Sequence, residues 1–227
     1  MRTGIKQLIR KVMPFAFLEP EGDAGIRKIG HRDYVGGKWE EIGKLQFDFL
    51  VAHGLRPDSY LLDIACGALR LGVKAIPYLE RGHYLGIEKE RSLVELGLDK
   101  ELGPALRADK QPSIVISDAF EFSKLGQHAD LAIAQSLFSH LPPSLINLCF
   151  GNLLPHMAEG GVFFATYFKS DKHRHNPDRS HDHGYFAYTQ EEMCAFGEVN
   201  GWSAQYIGDW KHPREQVMVA YRRRIHA

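Results

Sequence analysis

The chain has 227 residues, of which 44% are apolar and 25% are charged, and its formal net charge is zero. This is the composition of an ordinary globular protein with room for one domain and an appendage. The balanced charge argues against the strongly basic surface of nucleic-acid-binding proteins. The three cysteines are too scattered for a disulfide framework, and no apolar run is long enough to span a bilayer. Because the N-terminus also lacks the features of a signal peptide, we expect a cytoplasmic protein.

The N-terminal segment, residues 2–18, intersperses apolar and basic side chains at helical spacing. The apolar positions are Ile5, Leu8, Ile9, Val12 and Met13, and the basic ones are Arg2, Lys6, Arg10 and Lys11. The pattern predicts an amphipathic helix with a basic polar face. This helix packs on the protein's own core, covers the ligand site as a lid, or rests on a membrane surface or lipid-like substrate. Pro20 and the glycines after it predict a loop, so we assign residues 1–37 to an extension and 38–227 to the main domain.

From residue 38 onward, predicted helices and strands alternate. Helices are predicted at residues 38–53, 71–78, 91–102, 142–156 and 190–199. Strands are predicted at residues 60–64, 84–88, 113–117, 131–134, 162–167, 204–207 and 216–221. Because parallel strands need crossover connections, this alternation predicts a doubly wound, mostly parallel seven-stranded α/β sheet with helices on both faces. The last two strands follow each other closely, which predicts an antiparallel pair at one edge.

The segment 60–72, YLLDIACGALRLG, is the centre of this domain. An apolar run ends at Asp63, a turn of small residues follows, and a second apolar segment begins at Leu69. The pattern predicts a buried strand, a tight turn and a helix. Ala65 and Gly67 leave space for a ligand to approach the backbone, and the turn offers free N–H groups at the positive end of the helix dipole. We therefore expect a ligand at this turn.

Polar side chains end four of the predicted strands, namely Asp63, Glu88, Asp118 and Gln135. Ligands of open α/β sheets lie across these carboxyl ends. Glu88 follows the Gly67 turn by about twenty residues, which is the spacing of an acid that binds both hydroxyls of a ribose. Asp118, with Ala119 and Phe120 after it, suits an adenine. Each acid alone would be an ordinary solvated strand end, but together they predict an adenosine site.

The sequence contains neither the G-x-G-x-x-G motif of a nicotinamide dinucleotide site nor the G-x-x-x-x-G-K-[ST] motif of a nucleoside triphosphate site. It resembles instead the class I S-adenosylmethionine-dependent methyltransferases, over residues 38–222. DIACG stands at the D-x-G-x-G motif of that family, GIEKE at its second acidic motif, SDAFEF at its adenine-contacting motif and DLAIAQSLFSHLP at its fourth motif. EGGVFFATYF resembles the fifth strand. Ala65 and Leu69 replace the first and third glycines of the motif, so we expect a differently shaped turn.

The resemblance implies a Rossmann-like methyltransferase fold with S-adenosylmethionine as the cofactor. The implied cofactor-binding residues are Tyr34, Trp39, Asp63, Ala65, Cys66, Gly67, Glu88, Asp118, Ala119, Phe120, Gln135 and Ser136. In this assignment the turn of residues 65–67 passes under the methionine part of the cofactor. Asp63 holds the methionine amino group, Glu88 the ribose and Asp118 the adenine amine.

The remaining implied contacts lie at the methionine end and over the cofactor. Gln135 and Ser136, which leave the fourth strand, face the methionine end and the acceptor. Tyr34 and Trp39 cover the cofactor, with plain core packing as the alternative for Trp39.

Methyl transfer from a sulfonium is an in-line displacement, so the protein mainly aligns the nucleophile and removes its proton when it is a hydroxyl. His140, which follows the fourth strand, is one candidate base, or it hydrogen-bonds locally at a helix start. The polar loop after the fifth strand comprises residues 169–185. Its His181, Asp182 and His183 are further candidates for the base, or the loop is simply solvated. Together with another carboxylate they would suit a divalent metal, but their spacing matches no firm metal signature, so no metal ligand is assigned.

The expected acceptor is a small molecule. Nucleic-acid amino-methyltransferases of the family carry an Asn/Asp-Pro-Pro-aromatic motif after the fourth strand, where this chain reads QSLF, so no nucleic-acid partner is expected. A hydroxyl of a sugar, glycolipid or natural product fits better, with a small amine as an alternative. The basic N-terminal helix favours a lipid-linked substrate or peripheral membrane contact. The competing class is a non-catalytic binding module with this fold, which Ala65 and Leu69 favour. The sequence carries no sign of an oligomeric state.

Overall fold

In the computed structural model, which describes residues 20–224, eight strands form one sheet. They are β1 (Leu61–Ile64), β2 (Tyr84–Glu88), β3 (Ser113–Ile116), β4 (Ala129–Ala134), β5 (Met157–Lys169), β6 (Ala187–Tyr188), β7 (Trp202–Asp209) and β8 (Gln216–Arg223). The strand order is β3-β2-β1-β4-β5-β8-β7, and the short β6 pairs with the end of β5. Strands β1 to β6 are parallel to their partners in that group, whereas β8 runs antiparallel to both β5 and β7. The predicted sheet and its antiparallel edge pair are confirmed, with β6 as an addition.

Helices cover both faces of the sheet. They are α1 (Gly22–Ile29), α2 (His31–Tyr34), α3 (Trp39–Ala52), α4 (Gly72–Tyr78), α5 (Arg91–Leu96), α6 (Pro104–Lys110), α7 (Pro143–Leu153) and α8 (Gln190–Val199). A π-helical turn, Gly97–Leu102, continues α5, and 3-10 turns lie at Phe122–Leu125 and Leu154–His156. Among residues 20–224, no helix combines the length and the apolar character needed to cross a bilayer.

The loop predicted after Pro20 is wrong, because α1 and α2 occupy it. Gly25 suggested a loop, but it sits inside α1 for a packing reason. A Cβ at Gly25 would lie 2.1 Å from the Pro20 carbonyl oxygen and 2.6 Å from Tyr34 Cε2. The glycine therefore allows α1 to pack closely on its neighbours. The amphipathic helix predicted for residues 2–18 lies outside the described residues and stays a prediction.

Apolar side chains are buried on both faces of the central strands. On β5, Phe163 points into one core and Phe164 into the other, because successive side chains of a strand face opposite ways. The first core packs Phe163 against Phe150 of α7 and Tyr221 of β8. The second contains Phe164 together with Leu50 of α3 and other side chains of α3 and α4. This double burial explains why the strands read as continuous apolar runs.

Strand β1 lies at the point where the strand order reverses, because β2 and β3 extend the sheet on one side of it and β4 extends it on the other. It pairs with β2 on one side and β4 on the other, so that Asp63 is level with Gly86 and Ile133. Glu88 and Gln135, two residues beyond those partners, therefore emerge at the same edge as the turn after β1. Such switch points are where ligands bind in open α/β sheets.

Candidate functional site

A cavity of about 2210 Å³ lies at the carboxyl ends of the parallel strands. Its walls come from the turn after β1, the segments that follow β2, β3 and β4, the polar loop after β5, and the residues between α2 and α3. Small-molecule sites usually measure roughly 300–1,000 Å³, so this cavity has room for two ligands side by side.

The cavity brings together all the sequence-predicted site residues except Trp39 and Ala119. Those that line it are Tyr34, Asp63, Ala65, Cys66, Gly67, Glu88, Asp118, Phe120, Gln135, Ser136, His140, His181, Asp182 and His183. Trp39 is not in the cavity lining and packs in an apolar cluster with Ile26 and Leu93, which favours the core-packing alternative. Ala119 is also outside the cavity lining, and its place beside the adenine stays a prediction. It is exposed, and its carbonyl accepts a hydrogen bond from Asn152 Nδ2 at 3.2 Å.

The turn after β1 has the backbone of a glycine-rich turn although it holds one glycine. The φ angles of Ala65, Gly67 and Leu69 are 59°, 55° and 67°. The left-handed region costs a non-glycine residue roughly 1–2 kcal/mol. Leu69 therefore strains the backbone at its position instead of relaxing it into a conformation that leucine prefers. Its side chain is fully buried, which compensates for that strain by packing.

Glu88 is held in place by backbone N–H groups. Its Oε2 accepts from Gly67 N at 2.9 Å, and its Oε1 accepts from Lys89 N at 2.9 Å and Glu90 N at 3.0 Å. Burial raises the pKa of Glu88, although the three N–H donors oppose that shift. The expectation that the turn offers a free N–H is corrected for Gly67, whose N–H orients Glu88. The Glu88 carboxylate is thus held in one orientation by the backbone of its own surroundings.

Asp63 is buried at the end of β1, where the Tyr84 hydroxyl donates to its Oδ2 at 2.7 Å. Burial raises the pKa of Asp63 to about 7, despite the opposing effects of Tyr84 and of the Arg70 charge. A positively charged ligand group beside Asp63, such as an ammonium, would favour the ionised carboxylate.

Beyond β3, Asp118 is exposed and lines the cavity, as does Phe120. Phe120 has a φ of 54°, and its ring stacks on Phe122 with 6.1 Å between centroids. This wall combines an aromatic surface with a carboxylate, which suits a flat heterocycle that carries an amino group.

The end of β4 carries a buried polar network that the sequence did not predict. Gln135 Oε1 accepts from Arg70 Nη2 at 2.5 Å and from Gln46 Nε2 at 3.1 Å. Ser136 N donates to Thr166 Oγ1 at 2.7 Å. Among the residues that the sequence analysis missed, Arg70 could have been found, because a cation between two apolar residues, Leu69 and Leu71, is visible in the sequence.

His140 combines burial with an unused ring nitrogen. Its Nδ1 is inaccessible to solvent and has no hydrogen-bond partner. Burial lowers the pKa of His140 to about 4, so the imidazole is neutral at pH 7. The polar loop is tied to the same segment, since His181 N donates to the His140 carbonyl at 3.2 Å.

The Asp182 carboxylate bonds to residues from distant parts of the chain. Its carboxylate accepts from Lys89 Nζ at 2.5 Å, from the Tyr34 hydroxyl, and from Gly22 N at 3.3 Å. Burial favours its protonated form, but Lys89 and Tyr34 outweigh this and lower the pKa of Asp182. A carboxylate that is already engaged and weakly basic is poorly suited to be a general base, so the geometry disfavours that assignment.

The two histidines beside Asp182 also make contacts that close the cavity. His183 Nε2 lies 3.2 Å from the Pro20 carbonyl, to which it donates, and His181 Nε2 lies 3.6 Å from Glu21 Oε1. Within residues 20–224, no three His, Cys, Asp or Glu side chains are grouped so as to hold a metal ion. Another loop histidine, His173, pairs instead with Glu192 at 2.6 Å.

No family model matches the chain. Among solved structures, it is similar to magnesium protoporphyrin IX methyltransferase from Synechocystis PCC 6803 with bound SAH, with a TM-score of 0.62, 14% identity, and coverage of 96% of this chain and 100% of that one. It is also similar to the CcbJ methyltransferase from Streptomyces caelestis, with a TM-score of 0.62, 14% identity, and coverage of 83% and 92%. The glycopeptide N-methyltransferase MtfA complexed with S-adenosylmethionine gives a TM-score of 0.58, 13% identity, and coverage of 79% and 93%.

At this level of identity the comparisons define the fold. The chain has the fold of S-adenosylmethionine-dependent methyltransferases, as its resemblance to the class I family implied. The similarity spans nine-tenths or more of each of these structures.

Proposed function

We propose that this protein is an S-adenosylmethionine-dependent methyltransferase that acts on a small-molecule acceptor, by O-methylation of a sugar, glycolipid or natural-product hydroxyl. The observation that carries the proposal is the carboxylate of Glu88, which three backbone N–H groups fix beside the strained turn of residues 65–67. A pre-oriented acid at the end of β2, next to a turn open to a ligand, is what a ribose requires.

The described residues fit the cofactor along its whole length. Glu88 would bind the ribose, while Asp118 and Phe120 would hold the adenine. Asp63 would hold the methionine ammonium at the other end. When bound, S-adenosylmethionine supplies an activated methyl group. The protein's tasks are then to align the acceptor, to exclude water and to remove a proton where one must leave.

His140 is the base that the geometry favours for a hydroxyl acceptor. It lines the cavity and is neutral at physiological pH, and because its Nδ1 is shielded from solvent, an acceptor hydroxyl would approach its Nε2. Leu137 and Leu141 line the cavity on either side of it in sequence and would exclude water from the proton transfer. Asp182 and His183 would keep the cavity closed during that transfer, through their contacts to Tyr34 and Pro20.

The solved structures guide the choice of acceptor class. Two similar proteins are named for a porphyrin and a glycopeptide, which supports a small-molecule acceptor here. The glycopeptide enzyme is an N-methyltransferase, so a small amine stays the second candidate. The buried free thiols of Cys66 and Cys149 suit a reducing compartment such as the cytoplasm.

Calorimetric titration with S-adenosylmethionine and its demethylated product tests the cofactor. Micromolar binding is expected, and no binding at high micromolar concentration would remove the proposal. Methyl transfer from isotopically labelled cofactor to a panel of sugars, glycolipids, phenols and small amines then tests turnover. Transfer to a hydroxyl supports O-methylation, and transfer to an amine alone favours N-methylation. Tight binding without any transfer favours the non-catalytic module.

A further inference from the structure

Two aromatic side chains, Phe168 at the end of β5 and Tyr185 at the end of the polar loop, form an aromatic pair that lines the cavity. Their ring centroids are 4.5 Å apart, with 31° between the ring planes. Tyr185 is 52% exposed, although a large ring is stabilised by burial. The next residue, Phe186, joins the pair to the segment of His140, since its N–H donates to the Ser139 carbonyl at 2.9 Å. The pair therefore leaves aromatic surface uncovered beside the candidate base.

The segment around His140 adds further apolar surface to this part of the cavity. Leu137 and Leu141 line the cavity, as does Leu145 of α7, and Leu137 and Leu145 are only half-buried. A sugar carries hydroxyls around its ring, and each of them needs a polar partner when it leaves water. Leucines and aromatic rings do not supply such partners. These walls suit a flat apolar ring better than a sugar.

Two cations of the polar loop, Lys172 and Arg174, are exposed and line the same cavity. Neither forms an ion pair with another residue in the part of the chain that the structure describes. The loop also contributes two acids to the lining, Asp171 and Asp182, but the Asp182 carboxylate is already engaged by a lysine and a tyrosine. Positive charge therefore exceeds negative charge on this side of the cavity, which favours an anionic ligand.

Arg174 is the cation that lies beside the aromatic pair. Burial raises the pKa of Tyr185, and the positive charge of Arg174 opposes this rise by more than the negative charge of Glu215 adds to it. The backbone two residues further on is anchored, because the Asn176 side chain donates to the Ala187 carbonyl at 3.0 Å and accepts from its N–H at 3.1 Å. A guanidinium next to exposed ring surface suits a carboxylate that is attached to a flat ring.

We propose that the methyl acceptor is a planar aromatic hydroxy acid, whose ring packs on the aromatic pair, whose carboxylate pairs with Arg174 and whose hydroxyl faces His140. This rests on the proposed function and selects, among its acceptors, an aromatic natural product over a sugar. In the transfer, the acceptor oxygen bonds to the methyl carbon as the bond from that carbon to sulfur breaks. The electron pair of that bond stays on sulfur, and the hydroxyl proton passes to His140.

Calorimetric titration of 6-hydroxy-2-naphthoate into the full chain, with and without the demethylated cofactor at saturation, tests this proposal. Two matched probes separate the ring from the charge. The first, 6-hydroxy-2-naphthamide, keeps the rings and the hydroxyl without the charge, and the second, glucuronate, is a sugar that carries a carboxylate. The naphthoate should bind roughly three- to tenfold more tightly than the naphthamide, because the ion pair is exposed, and roughly tenfold or more above glucuronate.

Two variants assign these preferences to residues. Arg174→Gln should remove most of the preference for the naphthoate over the naphthamide and leave the naphthamide unchanged. Arg179→Gln, at an exposed cation of the same loop that lies outside the cavity lining, is the matched control. Tyr185→Ala should weaken both naphthalene probes by roughly two- to tenfold, and Tyr185→Phe, which keeps the ring, should weaken them less.

Four results would overturn the proposal. Equal affinity of the wild type for the naphthoate and the naphthamide, or for the naphthoate and glucuronate, needs no variant and so does not depend on how a variant folds. An equal loss of both naphthalene probes in Arg174→Gln would mean that Arg174 acts only through the shape of the loop. Loss of naphthoate binding when the demethylated cofactor is added would place the probe in the cofactor's part of the cavity.

The same titrations separate this proposal from the proposed function. A chain that binds the demethylated cofactor but none of the three probes would overturn the acceptor class alone. A chain that prefers the naphthoate but binds no cofactor would remove the proposed function and retain the site for an aromatic acid.

Discussion

Tyr34 and Asp182 lie 148 positions apart in the chain, yet the Tyr34 hydroxyl donates directly to the Asp182 carboxylate. The same carboxylate accepts from Lys89, which follows Glu88 at the end of β2. The contact therefore joins the helices of residues 22–34, the end of β2 and the polar loop into one cover for the cavity. These polar contacts add to the apolar packing of Ile26 and Tyr34, which holds the same helices in place.

Tyr34→Phe should loosen this cover. The substitution keeps the ring but leaves the Gly22 N–H and one oxygen of Asp182 with fewer partners, at a cost of about 1–3 kcal/mol. Hydrogen exchange of residues 20–37 should become faster, and the demethylated cofactor should dissociate faster. Tyr185→Phe, at a 52% exposed tyrosine of the same loop, is the control. Unchanged exchange in Tyr34→Phe would show that other contacts hold the cover.

Glu88→Gln should weaken cofactor binding by at least tenfold. The amide nitrogen cannot accept a hydrogen bond, so in either orientation it faces a backbone N–H of Gly67, Lys89 or Glu90. We also expect the free energy of unfolding to fall by about 1–3 kcal/mol. Calorimetric titration and denaturant unfolding measure the two effects, with Glu80→Gln at an exposed acid as the control. Full cofactor affinity in Glu88→Gln would contradict the ribose assignment.

His140→Gln should lower kcat by about 10²–10⁴ while the Kd for the cofactor is unchanged. The pKa of His140 is lowered to about 4, so the basic form exists above that pH and is lost only below it. The rate that depends on His140 should therefore be level from pH 6 to 8 and fall as the pH drops towards 4. The profile requires an acceptor from the panel above. A loss of rate centred near pH 6.5, or a normal kcat in His140→Gln, argues against this base.

His183→Ala should cut turnover far more than cofactor affinity. The substitution removes the hydrogen bond to the Pro20 carbonyl and the edge contact with the Tyr34 ring, whose centroids are 5.2 Å apart. The acceptor side of the cavity would then admit water. Labelled-methyl transfer and calorimetry on the same sample separate the two effects, and His173→Ala, at the opposite end of the loop, is the control. Normal turnover would leave the loop without a part in the reaction.

Asp63→Asn should stabilise the free protein at high pH. The folded-state pKa of Asp63 is raised to about 7, whereas an unfolded aspartate titrates near 3.9, so the folded state holds a proton that the unfolded state releases. The contribution of Asp63 to stability is complete below pH 4 and is lost as the pH rises through 7. The wild type loses at most about 4 kcal/mol of unfolding free energy in this way, whereas Asp63→Asn has no proton to release at this position and keeps its stability. Thermal unfolding at pH 5 and pH 8 measures this, with exposed Asp58→Asn as the control. An equal response of wild type and Asp63→Asn to pH would refute the buried, protonated state.

The sequence predicts most of the fold because the cause is local. Apolar runs buried on both faces and the crossover spacing specify the parallel sheet, and Glu88 and Asp118 follow from the ends of their strands. The segment after Pro20 could not be read in this way, because Gly25 serves a contact with Tyr34 that no local pattern reveals. Helix α6 was missed because Gly103 and Pro104 resemble a turn, although Pro104 starts a helix.

The candidate site, like the fold, was predictable where local sequence determines it and not where distant residues meet. Residues that a strand delivers to the sheet edge were predictable, since the alternation of elements places them. The role of Asp182 depends on Lys89 and Tyr34, and that of Arg70 depends on Gln135 and Val35. Such partners come together only when segments that are distant in sequence fold against one another. For Trp39 the sequence left core packing and a ligand contact open, because residue spacing does not distinguish them, and its apolar cluster favours core packing.

Left-handed backbone at residues other than glycine concentrates around the cavity. Within residues 20–224, Lys38, Ala65, Phe120, Ser136 and Glu215 have such backbone and line it. Substitution of these residues by glycine should stabilise the protein, since glycine adopts the left-handed backbone without strain and keeps the turn geometry. Ala65 is the first to replace, because it gives up only a methyl group, whereas Phe120 would also lose a buried ring. Directed stabilisation of this protein is thus expected to succeed nearest the ligand, where most proteins tolerate it least.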